Sequence, residues 1–207
     1  PGGNTDTGTG ETPDPDPTPD PEQETITETK AVWSYAFEDT PLGDYDMNDV
    51  VIKVSENEDD EDKLDVTLCC TGASFDLRVY LNNTVIFNGK EVHDAMGQSS
   101  GSLVNTGHGP EVDAVVATID KPYGFSFADA DFWIESPAVP GGVHITRNPG
   151  EEPHGVVIPQ DWAWPLEYVC IKEAYPMFAE FAADASTVNE AILAWYKTPA
   201  TGRIYKK

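Results

Sequence analysis

The stretch WSYAFEDTPLGDYDMNDVVIKV, residues 33–54, contains the pattern that decides the fold. At its start Trp33, Tyr35 and Phe37 alternate with smaller residues. This period of two predicts a β-strand with one aromatic face. At its end Val50–Val54 begins with apolar residues on both faces, which predicts a second strand near the centre of a sheet. An acidic loop joins the two strands.

Further strands are predicted between short polar turns. The candidate segments are 64–68, 75–81, 84–87, 114–119, 132–135 and 143–146. Asn82-Asn83 links two of them, and asparagine tolerates the positive φ of a two-residue hairpin turn. After Trp162 the apolar spacing lengthens towards a helical period, Pro176 interrupts it, and Ser186 is predicted to cap a second helix. The predicted fold class is mainly β: a jelly-roll-like β-sandwich with short carboxyl-terminal helices covering one edge or face of a sheet.

The charge of the chain narrows the classes of partner. Its 207 residues include 37 acidic and 12 basic side chains, which gives a formal net charge of -25. Such a surface repels nucleic-acid phosphates and anionic lipid headgroups, so we expect no nucleic-acid partner. It attracts divalent cations. No run of about 18 apolar residues occurs, so a membrane-spanning helix is not expected.

Residues 1–29 differ in composition from the rest of the chain. They are rich in Pro, Asp and Thr and include the run PDPDPTPDP at 13–21. A segment with so few apolar residues cannot bury enough surface to fold, so it is predicted to be a disordered, extended spacer. We therefore predict a spacer, 1–29, and one folded domain, 30–207. The spacer would hold the domain away from an anchor that lies upstream of residue 1.

Three cysteines, Cys69, Cys70 and Cys170, cannot all pair with one another. Adjacent residues on a strand point to opposite faces, so a bond between Cys69 and Cys70 is not expected. Small buried side chains are the favoured interpretation. A disulfide from Cys170 to one of the adjacent pair is the alternative in an oxidising compartment.

The loop between the first two strands contains the strongest chemical signal. Five carboxylates and one amide fall within the twelve residues 38–49. Like charges about 4 Å apart repel by about 1 kcal/mol in water, and a bound cation removes that cost. Calcium takes roughly six to eight oxygen ligands. Asp44, Asp46 and Asn48 can turn their side-chain oxygens inward on a tight loop, and backbone carbonyls can supply the remaining ligands. Calcium is therefore the predicted cofactor.

Asp44, Asp46 and Asn48 match the opening of an EF-hand loop. The sixth position, however, is Asp49 instead of glycine, the twelfth is Ser55, and a strand is predicted between them. The loop is therefore not an EF-hand. A solvated acidic loop, or Asn48 and Asp49 acting as turn-forming residues, is the alternative to a metal site. The alternation of acids between two closely spaced strands favours calcium.

The motif FEDxxxGDxDxNDVV at 37–51 resembles the opening signature of LruC-type domains, which occur in surface lipoproteins of Gram-negative gut bacteria. WPLE at 164–167, AYPxF at 174–178 and WY at 195–196 are similar to that family's closing segment. The resemblance spans from about Ala31 to the carboxyl terminus, and the family's biochemical function is largely uncharacterised.

That resemblance implies export and lipid anchoring, and hence an extracellular or outer-membrane location in which only the anchor contacts the membrane. It offers no catalytic residues to transfer. It does imply calcium ligands. With the amide already considered, the predicted metal ligands are Glu38, Asp39, Asp44, Asp46, Asn48 and Asp49.

A hydrolase is the enzymatic alternative, because Gly97-Gln98-Ser99-Ser100-Gly101 fits the Gly-x-Ser-x-Gly pattern of a nucleophile elbow. That motif requires a preceding strand and a following helix, whereas here it lies in a Gly/Ser-rich loop, so coincidence is favoured. The 4 histidines occur singly, without paired metal spacing. A carboxylate pair for glycoside hydrolysis needs only proximity in space, so abundant acids carry no signal. No enzymatic activity is expected.

Trp162 and Trp164 are the candidate ligand-binding residues. They lie two apart, so on an extended segment both face one side, where they could stack on a sugar or anchor a protein. Packing in the core is the commoner alternative. The predicted function is a non-catalytic, calcium-stabilised cell-surface binding or adhesion module on a flexible stalk, with an unidentified surface protein or glycan as partner. A structural or assembly subunit of a surface complex is the alternative, which burial of both tryptophans would favour.

Overall fold

A computed structural model describes Gly2, Gly3 and residues 30–206. The predicted spacer at 1–29 otherwise lies outside the described residues, so its prediction stays a prediction. Within the described part of the chain, no helix is long and apolar enough to cross a membrane.

The architecture of residues 30–206 is mainly β, as predicted. The strands are β1 (Trp33–Phe37), β2 (Val50–Glu56), β3 (Lys63–Cys70), β4 (Arg78–Leu81), β5 (Thr84–Val85), β6 (Val115–Asp120), β7 (Phe132–Ser136), β8 (Val139–His144) and β9 (Gly155–Ile158). One antiparallel sheet has the strand order β6-β3-β2-β1-β9, and the other has the order β5-β4-β7-β8. β2 is central in the five-stranded sheet, as its two apolar faces predict.

The main core lies between the two sheets. Tyr35 and Phe37 of β1 and Ile52 of β2 enter it from the five-stranded sheet, and Phe132 and Ile134 of β7 enter it from the other sheet. The rings of Tyr35 and Phe132 meet with their centroids 4.6 Å apart. Because side chains alternate along a strand, every second residue reaches this core. The fold is therefore a β-sandwich.

A third layer covers the outer face of the five-stranded sheet. Helix α1 (Val92–Ala95) and a 3-10 turn at Phe87–Gly89 pack against the main core instead. The carboxyl-terminal helices are α2 (Ile171–Ala174), α3 (Phe178–Ala183) and α4 (Glu190–Leu193), followed by a 3-10 turn at Trp195–Lys197. Ala36 and Val51 point away from the main core and pack in a second cluster with Trp162, Tyr175 and Trp195. The predicted covering of one sheet face by short carboxyl-terminal helices is confirmed.

Several predicted strand boundaries are wrong. β4 begins at Arg78 instead of Phe75, because the chain bends at 74 and 75. The strand predicted at 143–146 begins at Val139 and ends at His144. The sequence pattern does not predict β9, which pairs with β1. The hairpin at Asn82-Asn83 is confirmed, and Asn82 adopts a φ of 51°.

The carboxyl-terminal helices also differ in detail from the prediction. The apolar segment broken by Pro176 forms two short helices, α2 and α3. The predicted cap Ser186 is wrong, because its Oγ donates to Asp184 Oδ1 at 2.6 Å and does not reach a helix. Asn189 caps α4 instead, since its Oδ1 accepts from Ala191 N at 3.0 Å.

Cys69 and Cys70 are buried, as the favoured interpretation predicts, whereas Cys170 is only partly buried. Cys70 and Cys170 are free thiols, so Cys170 forms no bond with the adjacent pair. Cys69 and Cys70 both pack in the outer cluster, although adjacent strand residues are expected on opposite faces. The register between β2 and β3 shifts at Val51 and Ile52, and such a bulge breaks the alternation locally.

Trp195 tests how much stability the outer layer provides. Its side chain is 2 % exposed, and its ring lies 4.8 Å from that of Phe178 and 5.4 Å from that of Tyr175, measured between centroids. Trp195→Ala should lower the free energy of unfolding, measured in urea, by about 3–5 kcal/mol. Val188 is 87 % exposed, so the control Val188→Ala should change it by less than about 0.5 kcal/mol. A loss below about 1 kcal/mol for Trp195→Ala would contradict a packed outer layer.

Candidate metal centre

The loop between β1 and β2 folds around the carboxylate of Glu38. Glu38 Oε1 accepts from Tyr45 N at 3.2 Å, and Oε2 accepts from Met47 N at 3.1 Å. Tyr45 and Met47 both adopt left-handed φ angles, of 59° and 58°, which curl the loop tightly. As a result, oxygens of Glu38, Asp44 and Asp46 lie within 4.8 Å of one another. The structure therefore brings these three predicted ligands together.

Asp49 and Asp46 fix the loop through hydrogen bonds to backbone N–H groups. Asp49 Oδ2 accepts from Asp39 N at 2.7 Å, which closes the loop where β2 begins. Asp46 Oδ1 accepts from Asn48 N at 3.2 Å, and its Oδ2 accepts from Tyr168 N at 2.9 Å. Asp46 thus ties the loop to the segment that precedes α2.

Three buried oxygens beside this loop accept no hydrogen bond. They are Asp39 Oδ2, Asn48 Oδ1 and Glu167 Oε2. Asn48 is 1 % exposed, and its amide nitrogen donates to Pro165 O at 3.3 Å, which turns Oδ1 the other way. Leaving a buried polar atom unpaired costs about 1–3 kcal/mol, so these three oxygens are available as acceptors for a hydrogen-bond donor or as ligands for a cation.

Glycines make room for the approach of these groups. A Cβ at Gly72 would stand 2.0 Å from Asn48 Oδ1 and 2.9 Å from Glu167 Oε2. A Cβ at Gly43 would stand 2.1 Å from Glu38 Oε1. Gly72 N also donates to Asn48 O at 2.9 Å. The backbone at Gly72 therefore forms one wall of the cluster, and only a residue without a side chain fits there.

The electrostatics of the cluster disfavour its charged form. Burial, then the charge of Asp44, raises the pKa of Asp46 to about 8 and that of Glu167 to about 7. Burial, then the charges of Glu38 and Asp39, raises the pKa of Asp49 to about 10. Among the described residues, no Lys or Arg forms a salt bridge with these carboxylates. The charged form therefore lacks a cation from the protein itself.

The donor set fits a calcium ion. All of the converging atoms are carboxylate or amide oxygens, which calcium prefers, whereas zinc prefers nitrogen or sulfur. The ligands come from the end of β1, from the loop and from the segment before α2, and this irregular arrangement suits the flexible coordination of calcium better than the strict octahedron of magnesium. The predicted residues all lie in or beside this cluster, but whether they bind calcium stays a prediction.

Sequence reasoning missed Glu167 and Gly72. Glu167 lies within the WPLE motif at 164–167, for which the resemblance to LruC-type domains implies no ligand role. Gly72 follows β3 without a local pattern that marks it. Both reach the cluster through tertiary structure, so their positions along the chain carry no spacing signal.

Trp162 and Trp164 do not form a ligand site at the surface. They are 1 % and 6 % exposed and belong to the outer cluster. The ring of Trp164 stacks on that of Tyr205 with centroids 5.2 Å apart. Core packing, the alternative considered from the sequence, is therefore what the structure shows for both.

Two other groups of residues, the Gly-x-Ser-x-Gly motif and a cluster around His93, lack the arrangement of a nucleophile or an open metal site. Gly97-Gln98-Ser99-Ser100-Gly101 follows the helix α1 instead of a strand, so the nucleophile-elbow context is missing. The oxygens and nitrogens of Asp76, Glu91 and His93 also cluster. His93, however, has Nδ1 at 2.8 Å from Glu91 Oε2 and Nε2 at 3.0 Å from Ala73 O, so both ring nitrogens already face oxygen acceptors of the protein.

Comparisons with known proteins agree with the fold and give no activity. Residues 145–196, less than half of the chain, match the family described as Domain of unknown function (DUF4842). No curated protein is significantly similar. A crystal structure at 2.08 Å resolution from Bacteroides ovatus, of a protein named "Putative lipoprotein", is similar with a TM-score of 0.51 and 14% identity, covering 86% of this chain and 75% of that one. At this identity the likeness concerns the fold alone. The chain thus resembles proteins of unknown function, one of them with a lipoprotein name, and the finer likeness to LruC-type domains stays a prediction.

Proposed function

We propose that this protein is a non-catalytic β-sandwich module that a calcium ion stabilises at a bacterial cell surface. One observation carries the proposal: buried acceptors without donors converge beside carboxylates with which no Lys or Arg of residues 30–206 forms a salt bridge. A calcium ion would supply the missing positive charge and accept these oxygens as ligands.

The ion would join parts of the fold that are distant in sequence. Asp39 follows β1, Asn48 precedes β2 and Glu167 precedes α2, and each has an unpaired oxygen at the cluster. An ion bound there would link the sandwich to its outer layer. At the millimolar calcium of an exterior, a site with a dissociation constant of ~10⁻⁴ M adds about 1 kcal/mol to folding stability.

A surface location rests on indirect support. The neighbouring fold from Bacteroides ovatus belongs to a protein named as a lipoprotein, and the Pro/Asp-rich segment 1–29 has the composition of a tether. A lipid anchor upstream of that tether would hold the domain at an outer membrane. Binding or adhesion is one role for such a module. A structural or assembly subunit is the second candidate, and the burial of Trp162 and Trp164 favours it over a site built from these two residues.

Asp44→Asn separates the metal role of the loop from its structural role. Asp44 is exposed. Burial is the main cause of the raised pKa values of Glu38 and Asp46, and the charge of Asp44 raises both further. In millimolar calcium the variant should melt about 2–4 °C below the wild type, because a ligand charge is lost. In chelator it should melt at the wild-type temperature or above it, because repulsion within the cluster falls. The measurement is thermal unfolding of the full chain under both conditions, with magnesium as a further comparison.

Asp59→Asn is the matched control, since it removes one exposed charge from the turn between β2 and β3. It should leave the calcium-dependent rise in melting temperature unchanged. An equal loss for Asp44→Asn with and without calcium, or no rise for the wild type, would reduce the cluster to an acidic turn.

Gly72→Ala tests the wall of the proposed site. Its Cβ would stand 2.0 Å from Asn48 Oδ1, so the amide oxygen has to leave the cluster. We expect the variant to lose most of the calcium-dependent rise in melting temperature. Gly97→Ala is the comparison: its φ of +69° makes alanine unfavourable, but nothing lies within 4 Å. It should lose stability equally in calcium and in chelator. A full calcium response in Gly72→Ala would place the ion elsewhere.

A further inference from the structure

Tyr168 has an exposed ring on a strained backbone beside the metal centre. Its side chain is 63% exposed and its φ is 63°. Val169 N donates to Leu166 O at 3.0 Å, so Tyr168 occupies the third position of a β-turn. At a positive φ that position favours glycine or asparagine. The turn alone therefore does not account for a tyrosine, and strained exposed residues tend to occur at functional sites.

The backbone of Tyr168 is fixed by the metal centre itself. Its N–H donates to Asp46 Oδ2 at 2.9 Å, and Glu167, the preceding residue, has an unpaired buried oxygen in the cluster. The only ring contact of Tyr168 among the described residues is with His108, at 5.3 Å between centroids and edge-on. One face of the tyrosine ring is consequently not covered by another aromatic ring.

A cavity connects this ring with the carboxylates. Its volume is about 370 Å³, which lies within the roughly 300–1,000 Å³ of small-molecule sites. Glu38, Asp44 and Glu167 line it together with Leu42 and Tyr168. Leu42 is 91% exposed and Asp44 is exposed as well, so a cation held by the cluster would keep one side towards the cavity.

Charge restricts which ligand can occupy that side. A group that reaches the ion must donate an oxygen lone pair, which an ammonium or guanidinium group does not have. The carboxylates of the cluster outnumber the two positive charges of a calcium ion, so an anionic ligand would still be repelled. Neutral hydroxyl groups satisfy both conditions. The apolar face of a sugar ring, in addition, packs well against an aromatic ring.

We propose that this cavity binds a neutral sugar unit, whose adjacent hydroxyls complete the coordination of the ion while its ring packs on Tyr168. The inference rests on the proposed function, because without the ion the hydroxyls have no partner. It places the binding surface at Tyr168, away from the buried Trp162 and Trp164.

The test uses the full chain on an array of neutral, sialylated and sulfated glycans, in millimolar calcium and in chelator. The expected result is retention on neutral glycans only, reversed by chelator. The affinity for the most strongly retained neutral glycan is then measured by titration calorimetry.

Variants of Tyr168 distinguish a loss of glycan binding from a loss of folding. Tyr168→Gly relaxes the positive φ and retains the backbone N–H that Asp46 accepts, so its calcium-dependent rise in melting temperature should stay. Its affinity for the glycan should fall at least about tenfold, and Tyr168→Phe should stay within about twofold of the wild type. The control Tyr123→Ala removes a fully exposed ring elsewhere and should change nothing.

The two proposals fail in different ways. A wild type without a calcium-dependent rise in melting temperature overturns the proposed function and this inference together. If the rise is present, four results overturn this inference alone: no retention on neutral glycans, retention in chelator, preference for acidic glycans, or an unchanged affinity in Tyr168→Gly.

Discussion

The burial of like charges is the constraint on which the rest of the structure depends. Glu38 is 1 % exposed, and its two oxygens organise the loop by accepting from Tyr45 N and Met47 N. These hydrogen bonds favour the charged carboxylate, but burial opposes it more strongly and raises its pKa to about 7. The fold therefore contains a conflict that hydrogen bonds within the loop do not resolve. A divalent cation bound in the loop would compensate the buried negative charge.

The same loop also carries apolar side chains. Tyr45 and Met47, the residues with left-handed φ angles, pack in the outer cluster, while Asp44 and Asp46 between and before them turn towards the acidic cluster. Tyr45 O further accepts from Ile171 N at 2.7 Å, at the start of α2. The alternation of acidic and apolar residues thus serves two purposes. The acidic residues form the carboxylate cluster, and the apolar residues pack the helical layer against the sheet.

The sequence predicts those parts of the fold and site that depend on local pattern. β1 and β3 follow from alternation and β2 from its run of apolar residues, since each strand buries at least one face continuously. β9 has only four residues, too few for a period, and it becomes a strand by pairing with β1. The predicted ligands of the loop lie within the twelve residues 38–49 and are therefore visible in the sequence. Glu167 is not, because the link between this segment and the loop, from Tyr168 N to Asp46, spans 122 residues.

The aromatic residues show that the exposure of a side chain does not follow from the sequence alone. The spacing of Trp162 and Trp164 predicts a pair on one face, but both side chains are buried against the apolar outer face of β1 and β2. No sequence pattern marks Tyr168 as a candidate residue, since it is a single tyrosine. Only the structure marks Tyr168, through its backbone φ of 63°, which glycine would adopt at a lower conformational cost. The side chain of Tyr168 is exposed and gains little packing. A conformational cost without a packing gain requires compensation elsewhere, and the cavity beside the carboxylates is where the ring could provide it.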